Sequence, residues 1–242
     1  MAKESLINNK HEAFESLFMS LAEGLKLPLQ QIARRAELGL MIENSNDSLS
    51  AIHTNADTTL QLLDGYLLSL RLSQQPEERF QVEPVCMSAV LHDACLKLSK
   101  VADQYGVLLE LDISGKYSPV MAHRHALKAA LVSIGYSLIE AIPAMGIQQQ
   151  RLQLVTHRTS HGVVAGMYFD TDTLTPLAFR KAQQLKGNTR QPLVGVSPNS
   201  GAGIFVADAI LQAMSSRLKV GRYKKASGFT FMLPPSKQLQ LV

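Results

Sequence analysis

Apolar residues recur at helical spacing through the first third of the chain. A first helix is predicted over residues 5–42, with apolar positions at alternating spacings of four and three: Phe14, Phe18, Leu21, Leu25, Pro28 and Ile32. A polar turn at 43–47 leads to a second predicted helix over 48–73, whose seam is Leu49, Ile52, Ala56, Leu60, Leu63, Leu67 and Leu70. A short turn between two amphipathic helices predicts an antiparallel hairpin. One hairpin leaves part of its seam uncovered, so we expect a homodimer with a four-helix bundle.

The pattern changes after the polar, proline-containing segment 74–79, which we take as a domain boundary. Short strands and helices follow, with strands predicted at 80–82, 107–113, 120–122, 152–156 and 163–169 and helices at 85–105, 123–142, 175–185 and 202–215. Residues 186–200 are predicted as a loop, and 218–220 with 229–233 as a closing hairpin. The expected fold class is α+β: a helical hairpin (1–75), then an α/β sandwich (76–242) with helices on one face of a mixed sheet.

Composition narrows the function classes. Of the 242 residues 46% are hydrophobic and 18% charged, which is typical of a globular protein. Two cysteines, Cys86 and Cys95, indicate a reducing compartment, so we expect a cytoplasmic protein. The sequence is read as having no apolar run of membrane-spanning length, so we expect no membrane association. The net charge of +4 is mild, and its densest run, at 217–225, predicts a solvated hairpin more readily than a nucleic-acid surface.

A proline lies inside the first predicted helix, where it costs about 3 kcal/mol. Residues 22–32 around it resemble the phosphoacceptor box of two-component sensor histidine kinases, in which a histidine stands five residues before a proline. The matching residues are Leu25, Lys26, Pro28, Leu29 and Ile32. The histidine position holds Glu23, the glutamate position Gly24 and the threonine position Leu27. The resemblance implies the kinase architecture without its phosphoacceptor.

Residues 76–242 resemble the ATP-binding domain of the same kinases, a family shared with gyrase. In that family two asparagines stand four residues apart on a helix, and one reaches the magnesium ion; Ser133 and Ser137 hold these places here. A serine hydroxyl is a weaker magnesium ligand than an amide carbonyl. The adenine-binding aspartate corresponds to Asp170, which lacks the two following glycines and equally fits an ordinary acidic turn. Gly201 and Gly203 open a helix, either to cradle a phosphate or to allow close packing.

No other histidine takes the place of the missing acceptor. Along the bundle, His11 lies about 18 Å and His53 about 22 Å from Glu23. Among the later histidines only His123 and His125 have a spacing that metal ligands use, and we expect no metal site there. Glu23 itself is either an unremarkable surface residue or a fixed negative charge at the phosphorylated position.

Two hypotheses follow. The first is a non-catalytic, dimeric scaffold without a cofactor that binds a response regulator receiver domain or a partner histidine kinase. Its docking surface would combine Phe18, Ala22, Glu23, Lys26 and Leu27 with Tyr66 to Leu70. The second is a divergent kinase or nucleotide hydrolase that still binds ATP and magnesium through Asp170, Gly201 and Gly203. A phosphotransfer protein that binds no ATP is a third possibility, but it would need the histidine. Since phosphoryl transfer depends on several cooperating groups, their joint replacement favours the scaffold.

Overall fold

The structure is a computed structural model. It describes residues 25, 28–39, 46–74, 82–113, 115, 118–146, 150–183, 185–186, 189–190 and 201–236. Six helices and nine strands fall within these ranges.

Two helices are described in the N-terminal part of the chain. Residues 28–39 are helical (α1), as predicted, and Pro28 is the first residue of this described run. The second helix, α2, runs over Asn46–Gln74, two residues earlier at its start than expected. Within α2 the hydroxyls of Thr54, Thr58 and Thr59 each donate a hydrogen bond of 2.6–2.9 Å to the backbone carbonyl four residues before.

The remaining elements alternate as the sequence predicts. In chain order they are β1 (Glu83–Val85), α3 (Met87–Tyr105), β2 (Leu108–Ile113), β3 (Val120–Ala122), α4 (Arg124–Ala144), β4 (Arg151–Thr159), β5 (Gly162–Phe169), α5 (Pro176–Gln183), β6 (Leu185–Lys186), β7 (Thr189–Arg190), α6 (Gly201–Ala213), β8 (Lys219–Tyr223) and β9 (Ala226–Leu233).

Local chemistry sets several of these boundaries. Gly106 ends α3 because it adopts a left-handed conformation with φ 67°, which a glycine accepts without strain. The side chain of His123 caps α4 by accepting a hydrogen bond from the Ala126 amide. His123 is therefore a capping residue, one of the roles open to a histidine at a helix start.

The first described strand lies at Glu83–Val85. Of the strand predicted at 80–82, Val82 lies just before β1, and residues 80–81 lie outside the described residues. Strand β1 carries Pro84 in a two-stranded ladder with β3, where a proline costs little because the strand has a free edge. The segment predicted as a loop from Lys186 begins instead with a short antiparallel pair, β6 with β7.

The main sheet has five strands in the order β2-β4-β5-β9-β8. The pair β2 and β4 is parallel, and the other neighbours are antiparallel, so the sheet is mixed as predicted. Helix α4 supplies the crossover between the two parallel strands. The two predicted hairpins, β4 with β5 and β8 with β9, are both confirmed.

Helices α3 and α4 pack against the sheet, α6 packs along α4, and α2 lies across α4 and α6. Helix α4 is the centre of this layer, with every residue from Ala130 to Ile139 buried. It is long and apolar enough over Arg124–Pro143 to cross a membrane, but 78% of that window is buried inside the fold, as in a core helix. The α+β class with helices on a mixed sheet is therefore confirmed.

Candidate functional site

The two serines at the predicted magnesium-binding positions lie inside the helical layer. Ser133 and Ser137 are one turn apart on α4, so they share one face of the helix, and each side chain is only 2% exposed. The face they share is the one that α6 packs against. Whether these hydroxyls can reach a nucleotide therefore depends on how closely α6 approaches.

Gly203, in the first turn of α6, meets α4 at these serines. A methyl group built on its Cα would lie 2.5 Å from the Ser133 carbonyl oxygen and 2.5 Å from Ser137 Oγ. Both separations are well inside van der Waals contact, so glycine is required for the helices to approach this closely. The close-packing role proposed for this glycine is confirmed, and toward α4 the structure leaves no room beside it for a phosphate.

Helix α2 approaches the same place from the other side. A methyl group on Gly65 would lie 3.4 Å from Ser133 Oγ and 3.7 Å from the Val206 side chain on α6. Ser133 therefore lies between a glycine of α2 and a glycine of α6. Among the described residues the Ser133 side chain is enclosed by α2, α4 and α6, whereas a magnesium ligand needs an open coordination position.

Asp170 belongs to a different element. It is exposed in a bend directly after β5, the strand end at which the sequence placed it. Gly201 is the first residue of α6, so the predicted glycine-opened helix start is also present. The structure thus brings Ser133, Ser137 and Gly203 together and leaves Asp170 on a separate element.

The predicted docking surface is described only in part. Phe18, Ala22, Glu23, Lys26 and Leu27 lie outside the described residues, as does the side chain of Leu70. Tyr66 is 1% exposed and belongs to the core. Its expected place on an accessible surface is therefore corrected: α2 turns this side chain toward the helical layer, where it packs, and its neighbour Leu67 is the exposed one.

A polar cluster that the sequence reading missed lies at the C-terminal end of α4. Burial raises the pKa of Glu140 to about 7, and it also raises the pKa of Tyr136, whose hydroxyl is hydrogen-bonded to Tyr105. Gln31 of α1 donates a 2.6 Å hydrogen bond to the Tyr105 hydroxyl. This contact joins the N-terminal hairpin to the second part of the chain. The signal in the sequence is a single carboxylate inside an otherwise apolar helix.

A polar groove, also missed, runs between α2, α3 and α4. Its volume is about 440 Å³, and it is lined by Thr54, Asp57, Thr58, Gln61, Asp93, Leu96, Lys97, Lys100, Val101 and Lys128. Asp93 pairs with Arg124 at 3.2 Å, and Asp57 lies 3.4 Å from His53 Nδ1. The three lysines have no ion-pair partner among the described residues. No single stretch of sequence shows this groove, because three separate helices line it.

Neither a protein-family model nor a curated protein sequence matches this chain. Solved structures do resemble it. The histidine kinase AdeS of Acinetobacter baumannii superposes with a TM-score of 0.54 at 16% identity, and the alignment covers 88% of this chain and 98% of AdeS. The histidine kinase ThkA, in a crystal with the response regulator protein TrrA, gives a TM-score of 0.56 at 10% identity, with 99% of this chain and 68% of that chain covered.

A third structure, full-length ShkA in complex with AMPPNP, gives a TM-score of 0.54 at 13% identity, and this chain spans 46% of its length. At such low identities the similarity is one of fold. It extends over both the N-terminal helices and the sheet domain, so the chain has the architecture of the helical and catalytic domains of histidine kinases.

Proposed function

We propose that this chain is a non-catalytic, histidine-kinase-like signalling protein, a dimeric scaffold that binds a receiver domain or a partner kinase. The observation that carries the proposal is the three-helix junction at Ser133. Side chains that would serve a magnesium-nucleotide complex in a kinase instead pack against Gly203 and Gly65.

The chemistry of phosphoryl transfer explains why this matters. The transferred group must be positioned and its charge neutralised by metal ions and donors acting together. Here the acceptor position holds Glu23, whose carboxylate cannot hand on a phosphoryl group that it never receives. Ser133 and Ser137 are buried against α6. The loss of both the acceptor and the metal-binding positions argues for a role in binding and against a role in transfer.

Exposed leucines on α2 support self-association. Leu49 and Leu60 are each 58% exposed, and Leu67 is 43% exposed. They belong to the seam that the sequence predicts for a four-helix bundle. Because isolated apolar stripes of this kind are normally covered, we infer that a second copy of the chain covers this one.

The receiver domain is the partner class with the most support. ThkA, to which the fold is similar over 99% of this chain, was crystallised with a response regulator protein. By analogy, the docking surface of the present chain would include the N-terminal helix around Glu23.

Calorimetric titration of ATP and ADP, with and without magnesium, into the purified protein tests whether the protein binds nucleotides. We expect no saturable heat at about 1 mM nucleotide, a concentration at the upper end of ordinary KM values. The matched variant is Asp170→Ala, which removes the adenine-binding candidate from an exposed bend and leaves the core intact. Magnesium-dependent binding that Asp170→Ala abolishes would instead support a divergent ATP-binding enzyme.

Substitution Glu23→His tests the docking surface separately. Acceptance of phosphate from a phosphorylated receiver by this variant, but not by the original chain, would show that the surface persists and only the acceptor was lost. If the variant neither accepts phosphate nor binds a receiver, the receiver-domain assignment fails.

A further inference from the structure

The groove between α2, α3 and α4 carries more positive charge than the described residues of the chain neutralise. Lys97, Lys100 and Lys128 line it without ion-pair partners among the described residues. Of the two carboxylates in the lining, Asp93 is already paired with Arg124 at 3.2 Å. Only Asp57 remains to offset three ammonium groups, and it lies beside His53. The groove is therefore complementary to a negatively charged ligand.

The described lining residues contribute side chains and not backbone donors. All of them lie in the interiors of α2, α3 and α4, where backbone amides are engaged in helical hydrogen bonds. They include neither a helix N-terminus nor an arginine, and so lack the convergent donors and the bidentate fork with which proteins usually hold phosphate groups. The lysines act as separate point charges spread over two helices.

An apolar side chain lies among these charges. Leu96 is 62% exposed in the groove and directly precedes Lys97. A ligand that covers this leucine while meeting the lysines must carry both apolar and anionic groups. A segment of polypeptide with glutamate or aspartate beside apolar residues has this composition, whereas a small polyphosphate does not.

We propose that this groove docks an acidic, partly apolar segment of a partner protein. The inference deepens the proposed function, because it names the chemistry of a second docking surface beside the one expected around Glu23. The groove combines Thr54, Thr58 and Gln61 of the hairpin with residues of the second part of the chain. A bound segment would therefore contact both parts at once and hold α2 against α3.

The first test is binding of a fluorescein-labelled peptide, Glu-Leu-Glu-Glu-Leu-Glu-Glu, followed by fluorescence anisotropy at low salt. The control peptide has glutamine in place of every glutamate. We expect saturable binding of the acidic peptide only, weakening as salt rises from about 0.05 M to about 0.3 M, because exposed charges are screened over this range. Equal binding of both peptides would overturn the proposal.

The site is tested with two charge-matched triple variants. Lys97→Gln, Lys100→Gln and Lys128→Gln together should weaken peptide binding by about tenfold or more, since each removes one of the complementary charges. Arg217→Gln, Lys219→Gln and Lys225→Gln remove the same charge from the β8 region, and we expect a change of about twofold or less from screened, distant charges. Equal losses of peptide affinity in the two variants would show that only the net charge of the protein matters, and would overturn the proposed site.

A third measurement uses the unsubstituted protein, so its result does not depend on whether the variants fold. The bound peptide should protect Lys97, Lys100 and Lys128 from an amine-acetylating reagent, while Lys219 and Lys225 remain reactive. Equal protection at both sets would contradict the proposal. Displacement of the peptide by inorganic tripolyphosphate at matched charge would assign the groove to small polyanions instead. Because none of these readouts uses ATP, they can fail while the calorimetric titration still supports the scaffold.

Discussion

The two faces of α2 differ in their residues. The face turned toward α4 and α6 carries small or polar side chains, Thr54, Thr58, Gly65 and Ser69, together with the buried Leu62 and Tyr66. The face turned away carries Leu49, Leu60 and Leu67, which are 43–58% exposed. A helix that packs mostly small residues against its own chain and leaves three leucines exposed is suited to two different contacts. The inner one depends on close backbone approach, and the outer one supplies apolar area.

The sharpest test of this comparison uses adjacent residues. Tyr66→Ala should lower the free energy of unfolding by about 3–5 kcal/mol, as other large buried side chains do when truncated. Leu67→Ala should change it by about 0.5 kcal/mol or less in the monomer, because the side chain faces solvent. Urea unfolding at a protein concentration too low for association measures both. Similar losses at the two positions would mean that the faces are not distinct.

The outer face is tested by charge. Leu60→Glu with Leu67→Glu should weaken self-association by about a hundredfold or more, because the burial of two leucines is lost and charges are placed in an apolar contact. Leu108→Glu with Leu177→Glu, at leucines exposed by 58% and 63% elsewhere, is the control. Sedimentation equilibrium reports the dissociation constant. If both pairs of substitutions weaken the dimer equally, or if neither pair weakens it, the dimer is not formed through α2.

The inner face is tested by two glycines. Gly203→Ala should destabilise the protein by about 1–3 kcal/mol, since the added methyl group meets the Ser133 backbone at 2.5 Å. Gly65→Ala should be neutral or stabilise by up to about 1 kcal/mol, because its nearest neighbours are 3.4 and 3.7 Å away and alanine favours a helix. Thermal melts of the pair measure the difference. Equal effects would place α6 and α2 at similar distances from Ser133.

The last expected effect depends on pH and concerns the buried end of α4. Burial raises the pKa of Glu140 from its ordinary 4.5 to about 7, so the folded state holds the proton more tightly than the unfolded chain. The stability from this group is complete below about pH 4.5 and is lost as pH rises toward 7. Glu140→Gln should therefore flatten the fall in unfolding free energy across that range. If the fall is unchanged in the variant, other groups cause it.

The sequence was sufficient for the order of the elements apart from β6 and β7, which fall at the start of a segment predicted as a loop. Strands such as β4 and β5 are short apolar runs between turn residues, and α4 is an apolar helix of about the predicted length. These signals are local, because each element carries its own periodicity. Val82, at the end of the strand predicted at 80–82, lies just before β1, and Pro84 is tolerated inside β1 because that strand has a free edge.

The site was less accessible to sequence reasoning. Ser133 and Ser137 were correctly placed on one helix, but their burial depends on the approach of Gly203 and Gly65, which lie about seventy residues away in either direction along the chain. Residues from three helices line the groove, and no sequence-spacing rule connects Gln61 with Lys128. Tyr66 was assigned to the wrong face because a leucine-rich stretch does not show which side its own domain covers.

The threonine hydroxyls of α2 have one further consequence. Thr54 and Thr58 donate to carbonyls of their own helix, so the groups turned toward neighbouring elements are chiefly their methyls. In three dimensions these residues resemble valine more than serine. Hydropathy values assigned to each residue type take no account of this internal hydrogen bonding. Such values therefore understate how apolar the buried side of α2 is.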